Sequence, residues 1–232
     1  MKILLAALVC LFTSLACCAA DSRFTVVRID TRTEHLEMFL HDEAGKPFNR
    51  FERLSSSLTA RNKRLRFAMN AGMFQSDFSP VGLLVLGGRE EAPLNLTSGS
   101  GNFFLKPNGV FLVTPSGPRV VESSEYPAFA KSVLLATQSG PLLVRNGAIH
   151  PGLSAGSKSR LIRNGVGVSE TTAVFVISEQ PVTLHEFASY FRDNLHCLDA
   201  LYLDGTVSSL HSIALHRSDF KANLGPIIGV VE

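Results

Sequence analysis

Short apolar runs separated by polar, glycine-bearing turns recur along most of this chain, and their spacing predicts strands more often than helices. Residues 23–29 and 35–40 are rich in β-branched and aromatic side chains, and the polar Asp30-Thr31-Arg32-Thr33-Glu34 between them predicts an opening hairpin. From residue 49 to 63 the period lengthens. Phe51, Leu54 and Leu58 fall at helical spacing, which predicts an amphipathic helix feeding a strand over residues 65–69. Short β-prone pieces follow at residues 81–86, 102–106 and 110–114, broken by Gly87-Gly88, by Ser98-Gly99-Ser100-Gly101 and by Asn108-Gly109. Asn-Gly between apolar runs signals a hairpin, because both residues tolerate positive φ, and the pair recurs at Asn146-Gly147. This middle section reads as antiparallel sheet.

Nearer the C-terminus, Thr183-Leu184-His185-Glu186 has the form of a capping box. The helix it starts presents Leu184, Phe187, Ala188, Phe191 and Leu195 on one face and runs between strands expected at residues 173–177 and 199–203. Hairpins alternating with a few helices predict an α+β single domain with a mixed, largely antiparallel sheet and a few packed helices.

Residues 1–20 change the picture at the other end. Lys2, an apolar stretch over residues 3–15 and small residues up to Ala20 follow the order of a secretory signal peptide. The stretch is too short for a bilayer-spanning anchor. Cleavage after Ala20 is therefore expected to leave a mature domain of residues 21–232, periplasmic or secreted and without a transmembrane anchor. Lipid anchoring through Cys17 or Cys18 is the alternative, although Ser14 stands where a lipobox before Cys17 carries a branched aliphatic residue. A cleaved, unlipidated chain keeps only Cys197, which can form no internal disulfide and is expected as buried packing. With 45% apolar residues, a formal charge of +2 and no basic cluster beyond Arg61-Asn62-Lys63-Arg64, the composition suits a soluble globular protein and not a nucleic-acid binder.

Several catalytic signatures fail on spacing. His185-Glu186 has Ser189 where a zinc protease needs its second histidine. Ser154 to Lys158 lacks a serine three residues before the lysine, and Gly165-Val166-Gly167 lacks the third glycine of a dinucleotide loop. What remains is a set of turns. Asp204 ends an apolar run beside Gly205, with Ser208 and Ser209 close behind, a carboxylate among hydroxyl donors that suits sugar or phosphate oxygens. Arg163 adds a guanidinium that matches paired phosphate oxygens. Asn70 and Gly72, then Gln138, Ser139 and Gly140, occupy further turns at expected strand ends and are candidate substrate-binding positions. His150 and His211 titrate near neutrality but lie in no motif and rank second. Glu170 and Asp199 are near Asp204 only in order. The oxygens of Asp204 and Asn70 leave room for a divalent metal, but no calcium-loop spacing is present, and no cofactor is expected.

These turns, in this order, resemble the phosphodiester glycosidase family, which includes the lysosomal uncovering enzyme, and in particular its bacterial periplasmic branch. Asn70-Ala71-Gly72-Met73-Phe74, Gln138-Ser139-Gly140-Pro141-Leu142-Leu143-Val144 and Arg163-Asn164-Gly165-Val166-Gly167 are each similar to a family segment. Leu203-Asp204-Gly205-Thr206-Val207-Ser208-Ser209 resembles the signature Leu-Asp-Gly-Gly-Gly-Ser-Ser, with Thr206 and Val207 in place of two glycines. The resemblance implies hydrolysis of a sugar-1-phosphodiester at the anomeric bond, with Arg163 on phosphate and Asp204 at the anomeric centre. The reading from another class is a non-catalytic envelope protein that binds a glycan or phosphoglycan in the same pocket. A structural partner in envelope assembly is a third, which nothing in the sequence requires.

Overall fold

Successive residues of the strand Thr172–Ser178 point to opposite sides, and the fold is organised by that alternation. Ala173, Phe175 and Ile177 enter one buried cluster while Val174 and Val176 enter another. The computed structural model describes residues 21–232, so the expected signal segment lies outside the described residues.

In chain order the described elements are β1 (Phe24–Asp30), β2 (Leu36–Phe39), α1 (Phe51–Thr59), β3 (Leu65–Asn70), β4 (Leu84–Leu86), β5 (Arg89–Ala92), β6 (Gly109–Thr114) and β7 (Gly117–Glu122). There follow β8 (Leu135–Ser139), β9 (Leu142–Arg145), β10 (Ala148–Ile149), β11 (Asn164–Ser169), β12 (Thr172–Ser178), α2 (Leu184–Ser189), β13 (Asp199–Tyr202), β14 (Leu210–Ser212), β15 (Arg217–Ser218) and β16 (Ile227–Val231). They form a single sheet-rich domain of three sheets, ordered β1-β12-β11-β13-β9-β10, β15-β14-β3-β16-β2 and β5-β4-β8-β6-β7. The inner faces share one core, to which Phe175 and Leu201 come from the first sheet, Phe67 and Ile228 from the second, and Phe111 and Leu135 from the third. Each outer face has its own cover. Phe187 and Phe191 lie on the first sheet, Phe51, Leu54 and Leu58 of α1 on the second, and Tyr126 on the third.

The helices follow their sequence signals. α1 buries Phe51, Leu54 and Leu58, and the Thr183 hydroxyl and Glu186 carboxylate exchange bonds with each other's amides at the start of α2. Cys197 packs against Phe191 and Gly167, and burial pushes its thiol up to about 11. No helix among the described residues is long and apolar enough to cross a membrane.

Four expectations need correction. The opening strands do not pair: β1 joins β12 and β2 joins β16, because each has a core-facing partner of matching pattern in a different sheet. Residues 102–104 form a single 3-10 turn, and Asn108-Gly109 starts a strand; the hairpin tip lies instead between Thr114 and Gly117, while Asn146-Gly147 does turn a hairpin with both φ positive. The sheets are not mixed, since every described pairing is antiparallel. The helical crossover from β12 to β13 connects strands of like direction, but β11 lies between them and pairs antiparallel with both.

Candidate active site

Three of the polar turns singled out in the sequence are places where the chain passes from one sheet to another; the fourth, Arg163 to Gly167, is not a turn but leads into β11 within the first sheet. Residues 71–83 carry it from β3 in the second sheet to β4 in the third, Gly140-Pro141 from β8 to β9 in the first, and residues 203–209 from β13 back to β14 in the second. Asn70 ties two of these crossings. Its Nδ2 donates to the Asp204 carbonyl at 2.7 Å, and its Oδ1 accepts from the Ser209 amide at 2.9 Å and from Asn164 Nδ2 at 3.0 Å. Asn164 in turn accepts from the Ser208 hydroxyl at 3.0 Å, and the Asp204 amide donates to the Ala71 carbonyl at 3.1 Å. Gly72 completes the junction with the third sheet. Its amide donates to the Thr137 hydroxyl, and a Cβ there would overlap the Gln138 carbonyl, so only glycine permits that approach.

This network brings the predicted residues together but turns most of them inward. Asn70, Gln138, Ser139, Ser208 and Ser209 are buried. Gln138 accepts from the Leu83 and Asn95 amides and donates to the Asn95 carbonyl and the Ser123 hydroxyl. Ser209 donates to the Val207 carbonyl, and Ser208 also bonds the Gly205 carbonyl. Ser139 Oγ has no partner among the described residues, and Gly140 lies against Asn108 and the Phe103 carbonyl. Their side chains shape the turns instead of reaching outward.

Asp204 does reach outward. It lines a cleft of about 340 Å³ together with Tyr202, Gly205 and Thr206, facing Met73, Phe74 and Gln75 on one side and Ser100 to Phe104 on another. Asp204 is the one carboxylate on those walls, and no lysine, arginine or histidine is among them. Its Oδ1 accepts from the Thr206 amide at 3.1 Å, which fixes the carboxylate at the mouth of the turn. Burial pushes its pKa above the usual aspartate value, with the Thr206 amide and hydroxyl pulling the other way. Such a carboxylate is a better proton acceptor than an exposed one.

Arg163 is placed differently from the expectation. It is 2% exposed and does not line the cleft. Its Nε donates to the Val182 carbonyl at 3.0 Å, Nη2 to the Ser159 carbonyl at 3.1 Å and Nη1 to the Tyr202 hydroxyl at 3.0 Å. Tyr202 therefore stands between the guanidinium and the cleft.

Residues 63–229, most of the chain, match the sequence model of the phosphodiester glycosidase family. The chain belongs to this family. It is 34% identical over 198 residues to the uncharacterized protein YigE of Escherichia coli (strain K12), a match covering 84% of this chain and 77% of that one. Its fold is similar to the catalytic domain of zebrafish N-acetylglucosamine-1-phosphodiester alpha-N-acetylglucosaminidase auto-inhibited by pro-peptide, with a TM-score of 0.61 at 12% identity, covering 91% of this chain and 84% of that one. A hypothetical protein from Synechocystis is similar with a TM-score of 0.54 at 16% identity, over 90% of this chain and 59% of its own.

In this member of the family the remaining candidates lie away from Asp204. His150 lines a separate pocket with Pro107, Ile149 and Pro151, its Nδ1 accepts from the Gly152 amide at 2.9 Å, and burial pushes its pKa down. His211 bridges the Ser218 hydroxyl and the Leu65 carbonyl on the second sheet. Glu170 and Asp199 line a groove that excludes Asp204, because Asp199 begins the strand that Asp204 follows. Of the two residues replacing glycines, Val207 is buried against Leu224 and Ile227, and Thr206 alone meets the cleft. Sequence reasoning missed Tyr202 and the aromatic wall of Phe74, Phe103 and Phe104. The signal for Tyr202 was its position two residues before Asp204, on the same side of the strand. Among the described residues no group of three or more His, Cys, Asp or Glu comes together as a metal site.

Proposed function

We propose that this protein is an exported hydrolase that cleaves the glycosidic bond of a sugar-1-phosphodiester, releasing free sugar and a phosphomonoester. The observation that carries the reading is the single carboxylate of Asp204, held at a sheet crossing in a cleft with aromatic walls. A phosphate leaving group departs with its charge already delocalised, so cleavage needs no strong general acid, and one carboxylate suffices where ordinary glycosidases use two. Asp204 stabilises the oxocarbenium-like centre at C1 or takes a proton from the attacking water. Phe74, Phe103 and Phe104 offer apolar faces to the sugar ring, and the amide and side chain of Asn102 offer neutral donors to hydroxyl or phosphate oxygens. Family membership and the fold shared with the zebrafish glycosidase support the reaction class. The signal-like order of residues 1–20 supports export to the periplasm or beyond.

Phosphorus NMR of the protein incubated with a panel of sugar-1-phosphodiesters, nucleotide sugars included, tests this. New phosphomonoester resonances are the expected result. Ligand-induced shifts without turnover across the panel would instead favour a non-catalytic phosphoglycan-binding protein.

A further inference from the structure

Tyr202 is 2% exposed yet lines the cleft, and its proton is taken by no acceptor among the described residues. The geometry decides which way that proton faces. Arg163 Nη1 lies 3.0 Å from the phenol oxygen, and a guanidinium only donates, so the oxygen accepts there and its own O–H turns elsewhere. Gly205 is packed against the hydroxyl so closely that a Cβ would overlap it, which brings the turn bearing Asp204 up to the phenol. Behind the phenol, Arg163 bonds two neutral carbonyls and no carboxylate. Its charge is therefore uncompensated by a direct partner and sits one side chain back from a cleft whose walls hold no cation of their own. Donation from a cation to the phenol oxygen polarises the O–H and makes it a stronger donor.

We propose that Tyr202 donates a hydrogen bond to an oxygen of the bound phosphate and that Arg163 is the positioning residue behind it. The proposal rests on the glycosidic reading above. In that reaction the bond from C1 to the phosphate oxygen breaks, and its electron pair leaves on that oxygen. Water gives its hydroxyl to C1 and its other proton to Asp204, which passes it to solvent, so the diester and water become sugar, phosphomonoester dianion and one proton. Tyr202 keeps its proton throughout. Its bond strengthens as negative charge accumulates on phosphate, which places the phosphate end of the substrate at Tyr202 and the sugar along the aromatic wall.

Tyr202→Phe removes the hydroxyl alone. Two readouts are needed. On the diester that the native protein hydrolyses, kcat/KM is expected to fall about 10- to 100-fold. In the Asp204→Asn background, where cleavage is suppressed, titration with inorganic phosphate is expected to show affinity about tenfold weaker with Tyr202→Phe than without it, while affinity for the free sugars of the panel stays the same. An affinity for phosphate unchanged within twofold, equal losses for phosphate and sugar, or no phosphate binding by the Asp204→Asn protein would each overturn the proposal. Failure of the functional reading is separate: the native protein would hydrolyse no diester, and the phosphate titration would still decide the role of Tyr202.

Discussion

Asp204→Asn is expected to lower turnover of the cognate diester roughly 100- to 10,000-fold while raising the melting temperature at pH 7. The two effects have one cause. Burial disfavours the charged carboxylate and raises its pKa, so at neutral pH the folded state carries a desolvation cost that the unfolded chain does not. Asparagine is nearly isosteric, still accepts from the Thr206 amide, and abolishes that cost. For a chain of this size each kcal/mol relieved corresponds to about 2–4 °C. The sign reverses nowhere but the gain fades: below the raised pKa the native aspartic acid is itself neutral, and the two proteins should converge in stability as pH falls. The loss of rate follows from removing the one carboxylate on the cleft wall, at the scale usual for a proton-accepting group. Activity of the native protein should decline on the acid side through that same pKa, at higher pH than for an exposed aspartate. Thermal melts and rate profiles across pH check both halves. A variant that is inactive and also less stable at pH 7 would mean that Asp204 holds the turn together and does not wait in it for substrate.

Asn70→Ala should do the opposite, unfolding the site instead of silencing it. The substitution leaves the Asp204 carbonyl and the Ser209 amide without their side-chain partner in a buried junction, and Asn164 Nδ2 keeps only its bond to the residue-70 carbonyl. Unsatisfied buried groups cost about 1–3 kcal/mol each where nothing relaxes, so a net loss of roughly 2–4 kcal/mol is expected, or on the order of 4–16 °C in melting temperature. Activity falls with it, because the carbonyl of Asp204 is what Asn70 holds. The distinguishing measurement is substrate affinity in the fraction that remains folded. If Asn70 contacted substrate, affinity would fall without a change in melting temperature; the geometry predicts that the melting temperature changes most.

The contrast between these residues shows what the sequence made legible. Asn70, Asp204, Ser208 and Ser209 could be grouped because they are polar groups at the ends of apolar runs, and the structure does bring them together. Their division of labour was not legible, since a buried asparagine satisfying two turns and an asparagine facing a ligand have the same local sequence. Arg163 illustrates the point: its phosphate-binding chemistry is generic, but whether the guanidinium meets the cleft depends on Ser159, Val182 and Tyr202, which converge only through tertiary packing. Local periodicity did locate α1, α2 and most strands, because amphipathic period and capping are short-range properties. Pairing was less accessible. Nothing near β1 and β2 in sequence tells them to part to different sheets, as their partners β12 and β16 lie more than a hundred residues away.

Hydrolysis of the cognate sugar-1-phosphodiester in ¹⁸O-labelled water tests the central claim most directly, because it shows which bond breaks. The account predicts label at the anomeric hydroxyl of the released sugar and none in the phosphomonoester. Label in the phosphomonoester, with the sugar unlabelled, would mean attack at phosphorus and would contradict the assignment of Asp204 to the anomeric centre.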